Sequence, residues 1–104
     1  MAQVINDSNF ADILAGDKPV MVDFWATWCG PCRAMAPVVD ELAAEFADKV
    51  VIAKCDVDDA SVFPGQCGIR NIPSFIFFKN GQVVDRLVGA NPKSALVEKL
   101  NALL

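Results

Sequence analysis

Apolar runs along the chain mark four strands and a short fifth one. The four cover residues 19–26, 50–53, 72–78 and 83–88, and the short one is Val4-Ile5. The run at 19–26 is almost uniformly apolar, which is typical of a central parallel strand buried on both faces. Asn80-Gly81, between the last two runs, is a strong hairpin signal, so those two strands are expected to pair antiparallel.

Between these runs, apolar residues recur at three- and four-residue intervals, as they do in amphipathic helices. The longest such segment covers about residues 32–48 and contains Pro37. A proline inside a helix removes a hydrogen bond, so a bend is expected about one turn after Cys32.

Shorter helices are predicted on either side of this one. Asn6 or Asp7 could cap a first helix. The polar run 56–68 predicts a short, irregular helix, and Asn91 is expected to cap a last helix with Pro92 at its first position.

The resulting order, βαβαβαββα, is typical of an α/β domain. Its central sheet is expected to be mixed, with a parallel start, an antiparallel C-terminal hairpin and helices on both faces. The chain has 104 residues and shows no repeat or linker, so residues 1–104 are expected to form a single domain.

Composition and charge narrow the classes of function. The net charge is −4, from 13 acidic and 9 basic residues with no basic run, which argues against nucleic-acid binding. No apolar run approaches the roughly 18 residues of a membrane span. The first 20 residues have neither the basic start nor the apolar segment of a signal peptide, so a cytoplasmic location is expected.

The candidate chemistry lies in Trp28-Cys29-Gly30-Pro31-Cys32, where a strand ends and a helix begins. Cysteines two residues apart at such a junction are typical of a thiol–disulfide redox centre. A helix N-terminus favours the thiolate, and the short spacing lets the two sulfurs bond to each other. Cys29, past the strand end, is expected to be the exposed attacking thiol, and Cys32, within the helix, the resolving thiol.

A metal site built from all four cysteines is the alternative. Their spacing is C-x2-C-x22-C-x11-C, which lacks the second C-x2-C of a zinc ribbon. Cys55 and Cys67 are expected to be buried thiols that behave as small apolar residues, with a regulatory disulfide or modification at Cys67 as the other possibility.

Asp23 is the one charged residue in the apolar run before the motif. A buried carboxyl group has a raised pKa and can accept a proton from a neighbouring thiol. The alternative is a side chain that reaches the edge of the sheet and is simply solvated. Lys54 lies beside Asp23 in the next predicted strand, either as its partner or as an ordinary solvated lysine.

The segment Phe24–Cys32, FWATWCGPC, closely resembles the active-site signature of the thioredoxins, and the resemblance to the bacterial type covers essentially the whole chain. It implies the thioredoxin fold and a general protein-disulfide reductase without a cofactor or metal. It also implies a Cys29–Cys32 disulfide that is re-reduced by a thioredoxin reductase, disulfide-containing proteins as substrates, and a monomer. Gly30-Pro31 resembles the reducing members of the family.

The resemblance also implies roles for residues outside the motif. Asp23 and Lys54 match the family's buried aspartate and its lysine partner. Ile72-Pro73 matches a cis-proline that faces the cysteines. The docking surface and substrate groove would include Trp28, Ile72, Pro73, Gly89 and Ala90.

Cys55 and Cys67 are not part of the usual pattern of bacterial thioredoxins. Asn71 and Ser74 also depart from the family's pattern, and both are expected at the substrate rim. They concern specificity rather than chemistry. A third class of function, a thioredoxin-like domain that acts as a scaffold for a partner, is compatible with the same sequence.

Overall fold

A computed structural model describes all residues, 1–104. The chain forms strands and helices in the order β1 (Gln3–Val4), α1 (Phe10–Leu14), β2 (Val20–Trp25), α2 (Gly30–Glu45), β3 (Val51–Asp56), α3 (Val62–Gln66), β4 (Ser74–Lys79), β5 (Gln82–Val88) and α4 (Lys93–Ala102). The predicted order of elements is confirmed. None of the helices is long and apolar enough to cross a membrane.

The strands form one five-stranded sheet in the order β1-β3-β2-β4-β5. β3 is parallel to both β1 and β2, whereas β4 is antiparallel to β2 and to β5. The predicted mixed sheet, with its antiparallel C-terminal hairpin, is therefore confirmed. β2 lies in the middle, which explains why its sequence is apolar on both faces.

Successive residues of β2 point to opposite faces of the sheet and supply two separate cores. Met21 joins the core under α2 and α4, which contribute Leu42 and Leu96. Val22 joins the core under α1 and α3, where Phe63 of α3 is buried. The predicted helices on both faces of the sheet are confirmed.

Two helix caps predicted from the sequence are wrong. Neither Asn6 nor Asp7 caps α1, because Asn9 is the residue before its first turn. Pro92, not Asn91, precedes the first turn of α4. The Asn91 amide donates instead to the carbonyls of Val88 and Gly89, which closes the turn after β5.

α2 begins at Gly30, earlier than the apolar periodicity predicts, because the residues at its start have no apolar face to reveal it. The helix continues through Pro37 to Glu45. Both cysteines of the motif are consequently tied to its first turn.

Candidate active site

The two cysteines of the motif are joined as a disulfide at the start of α2. Cys29 is the residue that caps the helix, and its Sγ accepts a hydrogen bond of 3.2 Å from the backbone N–H of Cys32. Their Cα atoms are 5.2 Å apart. The first N–H groups of a helix have no carbonyl partner within it, so this one is free to stabilise negative charge on the Cys29 sulfur.

Both cysteines are more covered than the sequence predicts. Cys29 is 6% exposed and Cys32 is 2% exposed. Cys29 is the more accessible of the two, but the expectation of an exposed Cys29 is wrong. Trp25, Val57 and Ile72 pack against the cluster that the pair forms with Ala26.

The segment that contains Pro73 approaches the disulfide, and the end of β5 lies beside that segment. The Ile72–Pro73 peptide bond is cis, and the Ile72 carbonyl oxygen lies 4.0 Å from Cys29 Sγ. The Gly89 N–H donates to the Pro73 carbonyl at 2.8 Å, which places the end of β5 beside the proline. Gly89 has φ +84°, a conformation that other residues rarely adopt. Ala90 follows it directly.

Trp28 is not a core residue, because 67% of it is exposed. Its indole N–H donates to the Asp58 carboxylate at 2.8 Å, which fixes the ring on the surface. Beside it lies a groove of about 400 Å³ whose walls include Val57 and Ile72. No local pattern singles out Asp58, since its partner lies 30 residues away along the chain.

Asp23 is buried in the middle of the sheet, with 3% of it exposed, so the solvated alternative is wrong. Its Oδ1 atom has no hydrogen-bond partner. It shares a cavity of about 110 Å³ with Cys32. Burial raises the pKa of Asp23 to about 7, although the positive charge of Lys54 opposes the shift.

Lys54 lies directly across from Asp23 in the register of β2 and β3. It is half-buried, and its Nζ atom is 5.1 Å from the centre of the Trp25 ring, so it is not an ordinary solvated lysine. Trp25 lines the same cavity as Asp23, and its indole N–H also lacks a partner. A cavity with two unpartnered polar atoms has the room and the chemistry to hold water.

Cys55 and Cys67 lie away from the motif, in the core under α1 and α3. Burial raises the pKa of Cys55 to about 12 and that of Cys67 to about 11. Cys29 and Cys32 belong to a separate cluster. A metal site made from all four cysteines is therefore contradicted, and no group of three or more His, Cys, Asp or Glu side chains could hold a metal ion.

Asn71 and Ser74, the two departures from the family's pattern that are expected at the substrate rim, differ in burial. Asn71 is exposed, as expected of a rim residue. Ser74 is only 3% exposed, so its predicted place at the rim is wrong. Its hydroxyl donates to the Asn71 carbonyl at 2.6 Å and holds the loop that precedes the cis-proline.

Comparisons with known proteins agree with this geometry. The Thioredoxin family model matches residues 1–102. A thioredoxin of Haemophilus influenzae is 52% identical over 98 residues, which are 93% of this chain and 92% of that protein. A thioredoxin of Alicyclobacillus acidocaldarius is 50% identical over 100 residues, 96% of this chain and 95% of that protein.

A solved structure of the same family has nearly the same fold. The crystal structure of Malassezia sympodialis thioredoxin superimposes with a TM-score of 0.90 at 44% identity, covering 98% of this chain and 90% of that one. The mixed sheet, the disulfide at the start of α2 and these relatives lead to one conclusion: the chain belongs to the thioredoxin family and is a thiol–disulfide oxidoreductase with a Cys29–Cys32 redox centre.

Proposed function

We propose that this protein reduces the disulfides of many proteins, with Cys29 as the attacking thiol and Cys32 as the resolving thiol. The observation that carries the assignment is the hydrogen bond from the Cys32 N–H to Cys29 Sγ. It stabilises negative charge on Cys29, and only a thiolate attacks a disulfide. Cys29 is also the more exposed of the two residues.

The proposed reaction begins with the reduced protein. The Cys29 thiolate attacks one sulfur of the substrate disulfide and forms a mixed disulfide, and the other substrate sulfur leaves as a thiolate. The Cys32 thiol then loses its proton and attacks Cys29 Sγ. The Cys29–Cys32 bond forms, the mixed disulfide breaks, and the second substrate sulfur leaves as a thiolate. The substrate has then gained two electrons, and the protein has lost them and holds the Cys29–Cys32 disulfide.

Asp23 is the proposed acceptor of the Cys32 proton. Both residues line the same cavity, and a pKa of about 7 leaves part of the carboxyl population ionised at neutral pH. Lys54, directly across the register from Asp23, favours the ionised form. A water molecule in the cavity provides a path for the proton between the sulfur and the carboxylate.

Protein substrates are proposed to dock around Cys29. Trp28 offers an exposed apolar surface on one side. Ile72, the residue before the cis-proline, presents backbone groups to an extended segment, as in β-strand addition, and Pro73 lies beside it. Gly89 and Ala90 lie on the other side of the proline, where the missing side chain of glycine permits close approach.

Three further proposals concern the reductase that recycles the protein, its location and its oligomeric state. The oxidised pair would be re-reduced by a thioredoxin reductase. Cys55 and Cys67 are free thiols, which fits a reducing compartment and supports a cytoplasmic location. The chain is proposed to act as a monomer, and sedimentation equilibrium tests that state.

Trapping of mixed disulfides tests the assignment of the two thiols. Cys32→Ser should accumulate covalent complexes with substrate proteins, because the attacking thiol remains and the resolving thiol is lost. Cys29→Ser should trap none. Cys67→Ser, which removes a buried thiol outside the site, is the control and should turn over normally. Equal trapping by both active-site variants would contradict the assignment.

A further inference from the structure

Asp7 makes the densest set of long-range hydrogen bonds of any side chain in the molecule. Its Oδ2 atom accepts from the backbone N–H groups of Ser61 at 2.9 Å and Val62 at 3.1 Å, and its Oδ1 atom from that of Phe63 at 2.8 Å. Asp7 lies in the connection between β1 and α1, 54 to 56 residues earlier in the chain.

These hydrogen bonds cap the N-terminus of α3, which has no cap of its own. The helix has only five residues, and Ser61, which precedes it, makes no hydrogen bond through its side chain to cap it. A helix of this length is not stable by itself in water, and its first N–H groups need partners. The three N–H groups hold the pKa of Asp7 below its usual value, so the carboxylate is charged at neutral pH and can only accept.

α3 and the residue before it form one wall of the groove beside Trp28. Ser61, Pro64 and Gly65 line this wall, and Ile72 also lines the groove. Asp7 itself is not among the lining residues. The position of the wall therefore depends on a carboxylate that substrates docked in the groove do not touch.

The segment that carries Asp7 is held in place. The Ile5 N–H donates to the Lys54 carbonyl at 3.0 Å, which ties the segment to β3. The Asn9 amide donates to the Val4 carbonyl at 3.1 Å. The ring of Phe10 stacks on that of Phe63, with the centroids 4.7 Å apart, so α1 and α3 also meet through an apolar contact.

We propose that Asp7 is a positioning residue that fixes the α3 wall of the groove for the docking of protein substrates. The inference rests on the proposed function as a protein-disulfide reductase. It separates two properties of the active site: Asp7 sets how well a folded protein docks, whereas the reactivity of the Cys29–Cys32 pair is set by α2 and Asp23.

Steady-state kinetics of Asp7→Asn and Asp7→Ala with two substrates test this proposal. One substrate is a protein disulfide, and the other is a small aromatic disulfide that needs no groove. For the protein substrate, KM should rise about tenfold with kcat unchanged, as expected when a charged hydrogen-bond acceptor is lost. The rate with the small disulfide should stay within twofold of wild type. Asp12→Asn, an exposed acid on α1, is the matched control and should change neither.

The outcomes separate the possible roles of Asp7. An unchanged KM for the protein substrate in a folded Asp7→Ala variant would overturn the proposal. An equal loss with both substrates in Asp7→Asn, with near-ultraviolet circular dichroism unchanged, would also overturn it, because Asp7 would then affect the chemistry. Wild type that reduces neither substrate would contradict the proposed function instead.

Discussion

At the scale of single residues, the same side-chain type has different chemistry according to what surrounds it. The sulfur of Cys29 accepts a hydrogen bond from an N–H at the start of a helix, whereas Cys55 and Cys67 lie in an apolar core. Burial disfavours the charged form of a thiol, and the pKa values of about 12 and 11 for the two core cysteines are well above those of reactive thiols.

The two core thiols are accordingly expected to be inert in the folded protein. With the Cys29–Cys32 disulfide intact, a maleimide reagent at neutral pH should label no cysteine. After unfolding in guanidinium, it should label both Cys55 and Cys67. Mass spectrometry of the labelled protein measures the outcome, and rapid labelling of folded Cys67 would favour the regulatory alternative.

At the scale of elements, α2 supplies both the chemistry and much of one core. Its first turn holds the disulfide, and farther along Met35, Val39 and Leu42 are buried against the sheet. The cysteines cannot shift without disturbing that packing. Their placement is therefore a consequence of the same apolar pattern that predicts the helix.

Truncation of a buried side chain on this helix should be costly. Leu42 is fully buried, so Leu42→Ala is expected to lower the free energy of unfolding by about 2–5 kcal/mol through lost burial and a residual cavity. Leu104→Ala is the matched control, because Leu104 is 56% exposed and its truncation should cost less than about 0.5 kcal/mol. Urea denaturation measures both, and equal effects would contradict the assignment of this core.

The order of the elements could be predicted because each has a local apolar pattern. The helix caps could not be predicted in this way. Asp7 and Asn91 can each form hydrogen bonds with several backbone groups, and the tertiary structure decides which of them lie within reach. Asp7 resembles a local cap of α1 but bonds to α3, 54 residues away. Ser74 resembles a rim residue, yet its position in β4, opposite Phe24 in the central strand β2, buries it.

At the scale of the whole molecule, Asp23 couples stability to pH. Its pKa rises from 3.8 to about 7 on folding, so between those values the folded protein retains a proton that the unfolded chain has lost. Stability is therefore expected to fall as pH rises through this range and to level off above it. At about 1.4 kcal/mol per pKa unit, the total change is about 4 kcal/mol.

Asp23→Asn should remove this dependence. The variant is expected to be more stable than wild type at pH 8 by up to about 4 kcal/mol, because no buried carboxylate has to be formed. Urea denaturation of the oxidised protein between pH 5 and pH 9 measures the effect, with the exposed Asp12→Asn as control. A variant that retains the wild-type slope would contradict a buried, titrating Asp23.

Like the order of the elements, part of the active site could be predicted because it depends on local sequence patterns. The motif, Asp23 and Pro73 are visible because each interrupts a local pattern. The cavity that joins Asp23 to Cys32, and the bond between Trp28 and Asp58, arise only when β2, α2 and the segment after β3 are packed together.

The midpoint potential of the Cys29–Cys32 pair tests the central claim, a reducing dithiol, most directly. Equilibration with dithiol buffers of known potential measures it, and about 30 mV corresponds to 1.4 kcal/mol for this two-electron couple. We expect a reducing value close to the family value for thioredoxins, about −270 mV. A value near −120 mV, as in strongly oxidising members of this class of enzymes, would contradict the assignment as a reductase.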